Sequence, residues 1–476
     1  MGTTPQRGSI MLLALVFGAI FLMVFSGLSG YVLVENNFEM FTRAQSEAVA
    51  IAEAGLEYYR WHLAHFPTDL QNGTGQPGPY TITYSDPQSG ATVGTYTLNI
   101  TGNQSCGQTT SIDITSTGRP ADNPTVSQTL IARYAQPTVA KYDFISNAGV
   151  WIGTGDAVHG PYHSNSGVRM DGTSNAPITS SLASWTCTSS FGCSPSQTEP
   201  GVFGSGSNQT LWQYPTSQVD FGAIAANFPS LKSIAQSSGI YLPRYSTGNS
   251  NSSAYHKGYH LIFNADGTVT IDRVTAQKTS NVGLLDSGTL GNDYALINNE
   301  TAYETLKIPS ACGLIFVEDN TWVSGVIPAQ VTLVVANVSN TGVTPDAFLP
   351  GNITYASGNG SDGFTLIAQH DILITPDSPQ NMTLDGVYVA QSGAFGRNYY
   401  GSTSNSSQYE PRGTLTTVGT IVSALQSATT WVNNSGQPIG GYASTIDYPD
   451  QQLAQNPPPF TPVLSSDYQF VNWRQQ

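Results

Sequence analysis

The spacing of hydrophobic and polar positions changes three times along this chain, and each change marks a different kind of element. Residues 10–34 are predominantly apolar and carry no charged side chain. An uncharged run of about 20 or more residues is long enough to cross the hydrocarbon of a bilayer as an α-helix. No turn signal follows it. The chain passes directly into a charged stretch with Glu35, Glu39, Arg43 and Glu47, in which Phe41, Ala44, Ala48, Ile51, Gly55, Tyr59 and Leu63 recur at three- or four-residue spacing. This predicts one continuous helix over 9–66, with a membrane span at about 10–34 and a core-facing stripe beyond it. Pro67 ends the helix, and the turn-rich segment 72–79 follows. An ordinary secretory signal has a shorter apolar region and closes on a small-residue cleavage site.

Period two then replaces the helical period. Runs at 80–84, 95–101, 111–117 and 125–134 alternate in polarity, as in Ile112 and Ile114 against Ser111, Asp113 and Thr115, and Gly, Asn, Asp and Pro separate them. Such runs predict an antiparallel sheet with one covered face. A long helix laid on a small antiparallel sheet is therefore expected over 9–137, with the sheet in 67–137.

From 138 to 476 the pattern is of short strands of four to six residues, ended by Gly, Asn or Asp, without long helices. Val150-Trp151-Ile152, Gly167-Val168-Arg169-Met170, Leu314-Ile315-Phe316-Val317, Val331-Thr332-Leu333-Val334-Val335 and Phe364-Thr365-Leu366-Ile367-Ala368 are typical. Spacing near ten residues with little hairpin chemistry suggests a right-handed parallel β-helix, with a β-sandwich as the competing fold. Asn264-Ala265-Asp266-Gly267 is the exception, a hairpin turn between strands at 259–263 and 268–274. It falls in an expected insertion, about 174–306, which also carries a short helix at 221–236. The fold class is thus α+β and then mainly β.

Composition narrows the function. Of 476 residues only 10% are charged and the net charge is −15, so the clustered Lys and Arg that a nucleic-acid partner requires are missing. Richness in Gly, Ser, Thr and Asn suits an exported β protein with many tight turns. The single basic residue Arg7 in the polar leader, 1–8, is consistent with a cytoplasmic N-terminus and an ectodomain outside.

The N-terminal residues resemble those of type IV pilins. Arg7-Gly8 directly before the apolar run is similar to a prepilin processing site, and the resemblance implies a peptidase cut between Gly8 and Ser9 that leaves the apolar helix on the mature chain. Most pilins carry glutamate as the fifth mature residue. Here that position is Leu13, as in PilX-like minor pilins and tip pseudopilins that lack the acid. Ala52-Glu53-Ala54-Gly55-Leu56-Glu57 resembles the end of the PilX-like helix, and the phrases at 159–165, 366–372, 389–396 and 457–460 resemble the C-terminal region of PilX-like proteins. The family implies a structural subunit of a pilus or pseudopilus on the cell surface. Its implied partners are other pilin subunits, prepilin peptidase and membrane lipid.

Candidate chemistry is sparse. Cys187 and Cys193 flank a short Ser- and Gly-rich loop and read as a disulfide on the oxidising side of the membrane; no His or further Cys at ligand spacing supports zinc. Cys106 and Cys312 either pair or stay buried and free. His159 and His163 lie four apart, but Gly160-Pro161 between them forbids a helix, so they read as strand and turn residues. Trp151, Trp185, Trp212, Tyr399 and Tyr400 suit either a core or stacking on surface glycans. No P-loop, nucleophile elbow or dinucleotide fingerprint is present. The expectation is a non-enzymatic protein without cofactor or metal. A membrane-anchored carbohydrate-binding adhesin and an exported β-helix enzyme acting on glycans stand as the alternatives.

Overall fold

A computed structural model describes residues 8–224, 227–248, 255–339, 342–401, 407–433, 437–465 and 467–476, with the side chains of residues 8, 9, 223, 224 and 407 left undescribed. A long N-terminal apolar helix is followed by a large, mainly β structure, and the chain divides into two units.

The first unit holds the helix Gly8–His65 and a five-stranded sheet in the order Tyr80–Ser85, Thr92–Ser105, Gln108–Pro120, Gln128–Ala135 and Gln469–Gln475. The last strand was not expected: the C-terminus returns to the sheet that follows the helix. Pairing is antiparallel where the sequence alternates, with Tyr80 opposite Leu98 and Ile112 opposite Tyr134. Alternation places Ile112, Ile114 and Ser116 inward, and on the other face Arg133 grips Asp113 through two bonds of 2.7 and 2.9 Å. The inward face receives Ile51, Ala52, Leu56, Tyr59 and Leu63 of the helix. Phe41, expected on the buried stripe, is 48% exposed, while Ala52 and Leu56 join the stripe.

Gly55 and Gly118 set the closeness of helix and sheet. A Cβ on Gly55 would lie 2.9 Å from the Tyr96 ring and overlap Ser116 Oγ; one on Gly118 would lie 2.6 Å from the Ala52 amide nitrogen and overlap the Ala48 carbonyl. Beyond the helix, Asp69 ties the chain down: Tyr59 Oη donates to its carbonyl at 2.7 Å, and its carboxylate pairs with His62 Nε2 at 2.8 Å.

The second unit comprises Asn103–Thr110 and Ala135–Tyr468. Most of its strands pair in parallel, rung on rung, which is the pairing a β-helix makes and an antiparallel β-sandwich does not; the pairs within 258–307 are antiparallel. One face runs Ile240–Leu242, Leu314–Val317, Gln330–Val335, Gly363–Ala368, Met382–Ala390 and Arg412–Ser423. The stack then continues with a much earlier part of the chain: Phe144–Ser146, Tyr162–Ser164, Ile178–Ser180 and Trp212–Gln213. Ile421 thus lies beside Phe144, and the later half of the chain precedes the earlier half along the stack. The rungs run past residue 174, where the insertion was expected to begin.

A return segment must carry the chain from Trp212–Gln213 at one end to Ile240–Leu242 at the other. The helix expected over 221–236 is found there as two pieces, Phe221–Ile224 and Phe228–Ser238 (225–226 lie outside the described residues), the second capped by Asn227, whose side chain accepts from the Ser230 amide. Leu231 and Ala235 of this helix belong to the same apolar cluster as the outward residues Leu314, Phe316 and Val334. Ile315, Val317, Leu333, Leu366 and Phe364 face the interior.

Buried serines show why short strands ending in Ser suit a stack. Ser423, Ser146, Ser164 and Ser180 occupy one register and are fully buried. The amides of Ala148, Ser166 and Leu182 donate to the Ser146, Ser164 and Ser180 hydroxyls at 3.0–3.1 Å, so each serine turns the chain out of its own strand. The hairpin at Asn264–Gly267 joins Gly258–Phe263 to Thr268–Gly283, and Leu290–Lys307 pairs with the latter.

Candidate assembly helix and polar clusters

The helix Gly8–His65 has two unlike halves. In its apolar half an 18-residue window has a mean hydropathy of 2.6 and none of it is buried by the chain itself. Ile10, Phe17, Phe21 and Leu28 are all more than half exposed, and Leu13 is 55% exposed. The half beyond Arg43 is fixed on the sheet. An apolar cylinder of this length cannot stay in water; it requires lipid or the apolar faces of other helices. Gly8 is the first helical residue and Ser9 the next, while 1–7 of the expected leader lie outside the described residues. One helix among the described residues is long and apolar enough to cross a membrane.

All four cysteines are bonded. Cys187 is joined to Cys193 around a turn of 3-10 helix, and Trp185 and Phe191 pack on the bond, their rings 5.0 Å apart edge to face. Cys106 is joined to Cys312 across 206 residues, a pairing the sequence left open.

Other residues singled out by sequence have structural partners. His159 Nδ1 lies 2.8 Å from the Asp447 carbonyl, and His163 is buried between Thr179 and Asn165. Burial pushes the His163 ring below its ordinary value. The five aromatics do not form one surface. Trp185 and Tyr400 are buried, whereas Trp151 is exposed and stacks under the Arg169 guanidinium at 4.5 Å.

A buried carboxylate lies where the two halves of the stack meet, with the half-buried Asp447 acting on it. Asp143 is 5% exposed; its Oδ2 accepts from the Gly160 amide and its Oδ1 has no hydrogen-bond partner among the described residues. Burial, reinforced by Asp447, pushes Asp143 up to about 7.

Two further clusters bring together residues distant in sequence. In one, His370 Nδ1 lies 2.8 Å from Asp346 Oδ1 and 3.6 Å from Asp371 Oδ2, with Asp286 beside them. The hydrogen bond to Asp346 raises His370 to about 9. Asp346 and Asp371 also belong to a ladder along the turns: Asn320 Oδ1 takes the Asp346 amide, Asp346 Oδ1 the Asp371 amide, and Asp371 Oδ1 the Ala394 amide.

The other cluster is His260, Asp272 and Glu300, on three adjacent strands of the hairpin region. Sequence reasoning passed over both clusters. A signal for the second lay in the turn at 264–267, whose register puts Phe263 opposite Val269 and therefore His260 opposite Asp272. Glu300 had no such signal, because irregularities between Thr268–Gly283 and Leu290–Lys307 shift the count.

No known family profile matches the chain, and no curated protein does. Among solved structures, the chain is similar to the competence-associated pilin ComZ from Thermus thermophilus, with 12% identity over 91% of this chain and 97% of that one and a TM-score of 0.31.

Proposed function

We propose that this protein is a type IV pilin-like structural subunit, a PilX-like minor or tip component of a pilus or pseudopilus, with no enzymatic activity. The observation that carries the reading is the division of one 58-residue helix into a bare apolar half and a half built into the protein's own sheet. In this reading the N-terminus is cytoplasmic, prepilin peptidase cuts between Gly8 and Ser9, and the apolar half moves from lipid into a bundle of neighbouring pilin helices. Extraction from lipid is tolerable because packed helices replace the lipid contacts. Leu13 has a part in this. A buried acid at that position is acceptable only beside a positive partner, such as the amine of an adjoining subunit. An apolar Leu13 removes that requirement and suits a subunit with no neighbour above it. The stacked ectodomain then stands at the filament tip or surface, where adhesion to surface glycans is a further role for it.

Immunogold labelling of filaments sheared from cells producing the native protein tests this. Labelling confined to filament ends supports a tip subunit. Label on the cell envelope and none on filaments would leave a membrane-anchored adhesin instead.

A further inference from the structure

We propose that His260, Asp272 and Glu300 form a binding site for a divalent first-row transition ion, of which Zn²⁺ is the probe. The three residues offer one nitrogen and two carboxylate oxygens that all lie within 4.8 Å of one another. Bonds of about 2.0–2.2 Å to one ion allow ligand separations up to about 4.4 Å, so side-chain rotation of a few tenths of an ångström closes the site.

Strand order provides the platform. His260 in Gly258–Phe263 lies directly opposite Asp272 in Thr268–Gly283, and Glu300 comes from Leu290–Lys307 on the far side of that strand. Gly258–Phe263 is in turn held in parallel by Asn320–Ile327, so the histidine sits on a strand paired on both sides.

Two observations separate this cluster from a solvated group of acids. The His260 ring makes one hydrogen bond, Nδ1 to Glu300 Oε2 at 2.9 Å, and its buried Nε2 has no partner among the described residues. A ring nitrogen buried without a donor or acceptor carries an uncompensated desolvation cost. Asp272 makes no side-chain hydrogen bond or ion pair among the described residues, so its carboxylate is ready to ligate. A neutral imidazole and two carboxylates together balance a doubly charged ion. The mixed nitrogen and oxygen set favours Zn²⁺, Mn²⁺, Co²⁺ or Ni²⁺ over Ca²⁺ and Mg²⁺, which prefer oxygen alone. The cluster around His370 differs in its carboxylates, since Asp346 Oδ1 and Asp371 Oδ1 already accept backbone amides.

Binding has a balanced proton count: the ion takes a lone pair of the neutral ring, and any proton on that nitrogen goes to solvent. An ion held there would bridge all three strands through side chains, where now only His260 and Glu300 of the three residues are bonded to each other.

Zn²⁺ is titrated calorimetrically into the full-length protein in detergent micelles, and Co²⁺ is added separately to read its visible absorption. The expected result is one ion per chain, a visible Co²⁺ spectrum, and affinity at least tenfold weaker in both His260→Ala and Asp272→Asn, with His370→Ala unchanged. Should His260→Ala lower the melting temperature without metal, Glu300→Gln on the exposed edge replaces it, again with at least a tenfold loss expected. Absence of binding to the wild type, unchanged affinity in Asp272→Asn and Glu300→Gln, or loss in His370→Ala alone would each overturn the proposal.

Discussion

Severing the Cys106–Cys312 bond should destabilise the protein far more than severing Cys187–Cys193, and the structure fixes by how much. The first bond closes a loop of 206 residues and the second a loop of 6. Chain entropy removed from the unfolded state grows with the logarithm of loop length, giving about 5 kcal/mol for the long loop and about 2 kcal/mol for the short one. The difference of about 3 kcal/mol corresponds to roughly a hundredfold in the unfolding equilibrium. Packing opposes this order. Cys187 and Cys193 are buried against Trp185, so the short loop's variant loses apolar contact as well, while Cys312 is buried and Cys106 only partly so. The comparison therefore decides whether loop closure or local packing dominates. Cys106→Ala/Cys312→Ala and Cys187→Ala/Cys193→Ala, each as the full chain in detergent, are unfolded in guanidinium chloride and followed by tryptophan fluorescence. The long-loop variant should unfold at clearly lower denaturant. Equal midpoints, or a lower midpoint for the short-loop variant, would refute the entropy argument.

Three further outcomes follow from the same geometry. Gly118→Ala should destabilise the first unit by about 1–3 kcal/mol, because its Cβ meets backbone of the helix rather than a movable side chain; thermal melts of the full chain check this. Asp143 is held at about 7 in the folded chain, against about 4 when unfolded, so the folded state binds the proton more tightly. Stability should fall as pH rises from about 4 to about 7 and level off above, and Asp143→Asn should flatten that fall in melts recorded across the range. Leu13→Glu should leave ectodomain melting unchanged but move immunogold label from filament ends into the shaft; identical label positions for both proteins would refute the tip assignment.

How much of this was legible in the sequence depends on the range of each interaction. The helix and its sheet are written in local periods, and the alternation around Ile112 and Ile114 reads directly as one covered face. The hairpin at 264–267 was equally clear because Asn, Asp and Gly there have their own turn chemistry. Phe41 failed because a helical period gives a stripe but not where the sheet beneath it ends. The order of the stack was hidden for a stronger reason. Ile421 beside Phe144 is a parallel contact between strands far apart in the chain, and no turn residue or spacing encodes which rung lies next. The return of Gln469–Gln475 to the first sheet was missed on the same ground. The polar clusters followed suit: His260 with Asp272 was recoverable from the turn, whereas Asp346 with His370 needed the rung register.

The central claim, that an apolar helix half is kept on the mature chain for assembly, is tested most directly by the N-terminus of the protein taken from its native cells. Intact-mass measurement with N-terminal sequencing should find a chain beginning at Ser9, with the whole apolar run 10–34 retained. A chain beginning after residue 30 would mean that the run is removed as a secretory signal, and would contradict the account.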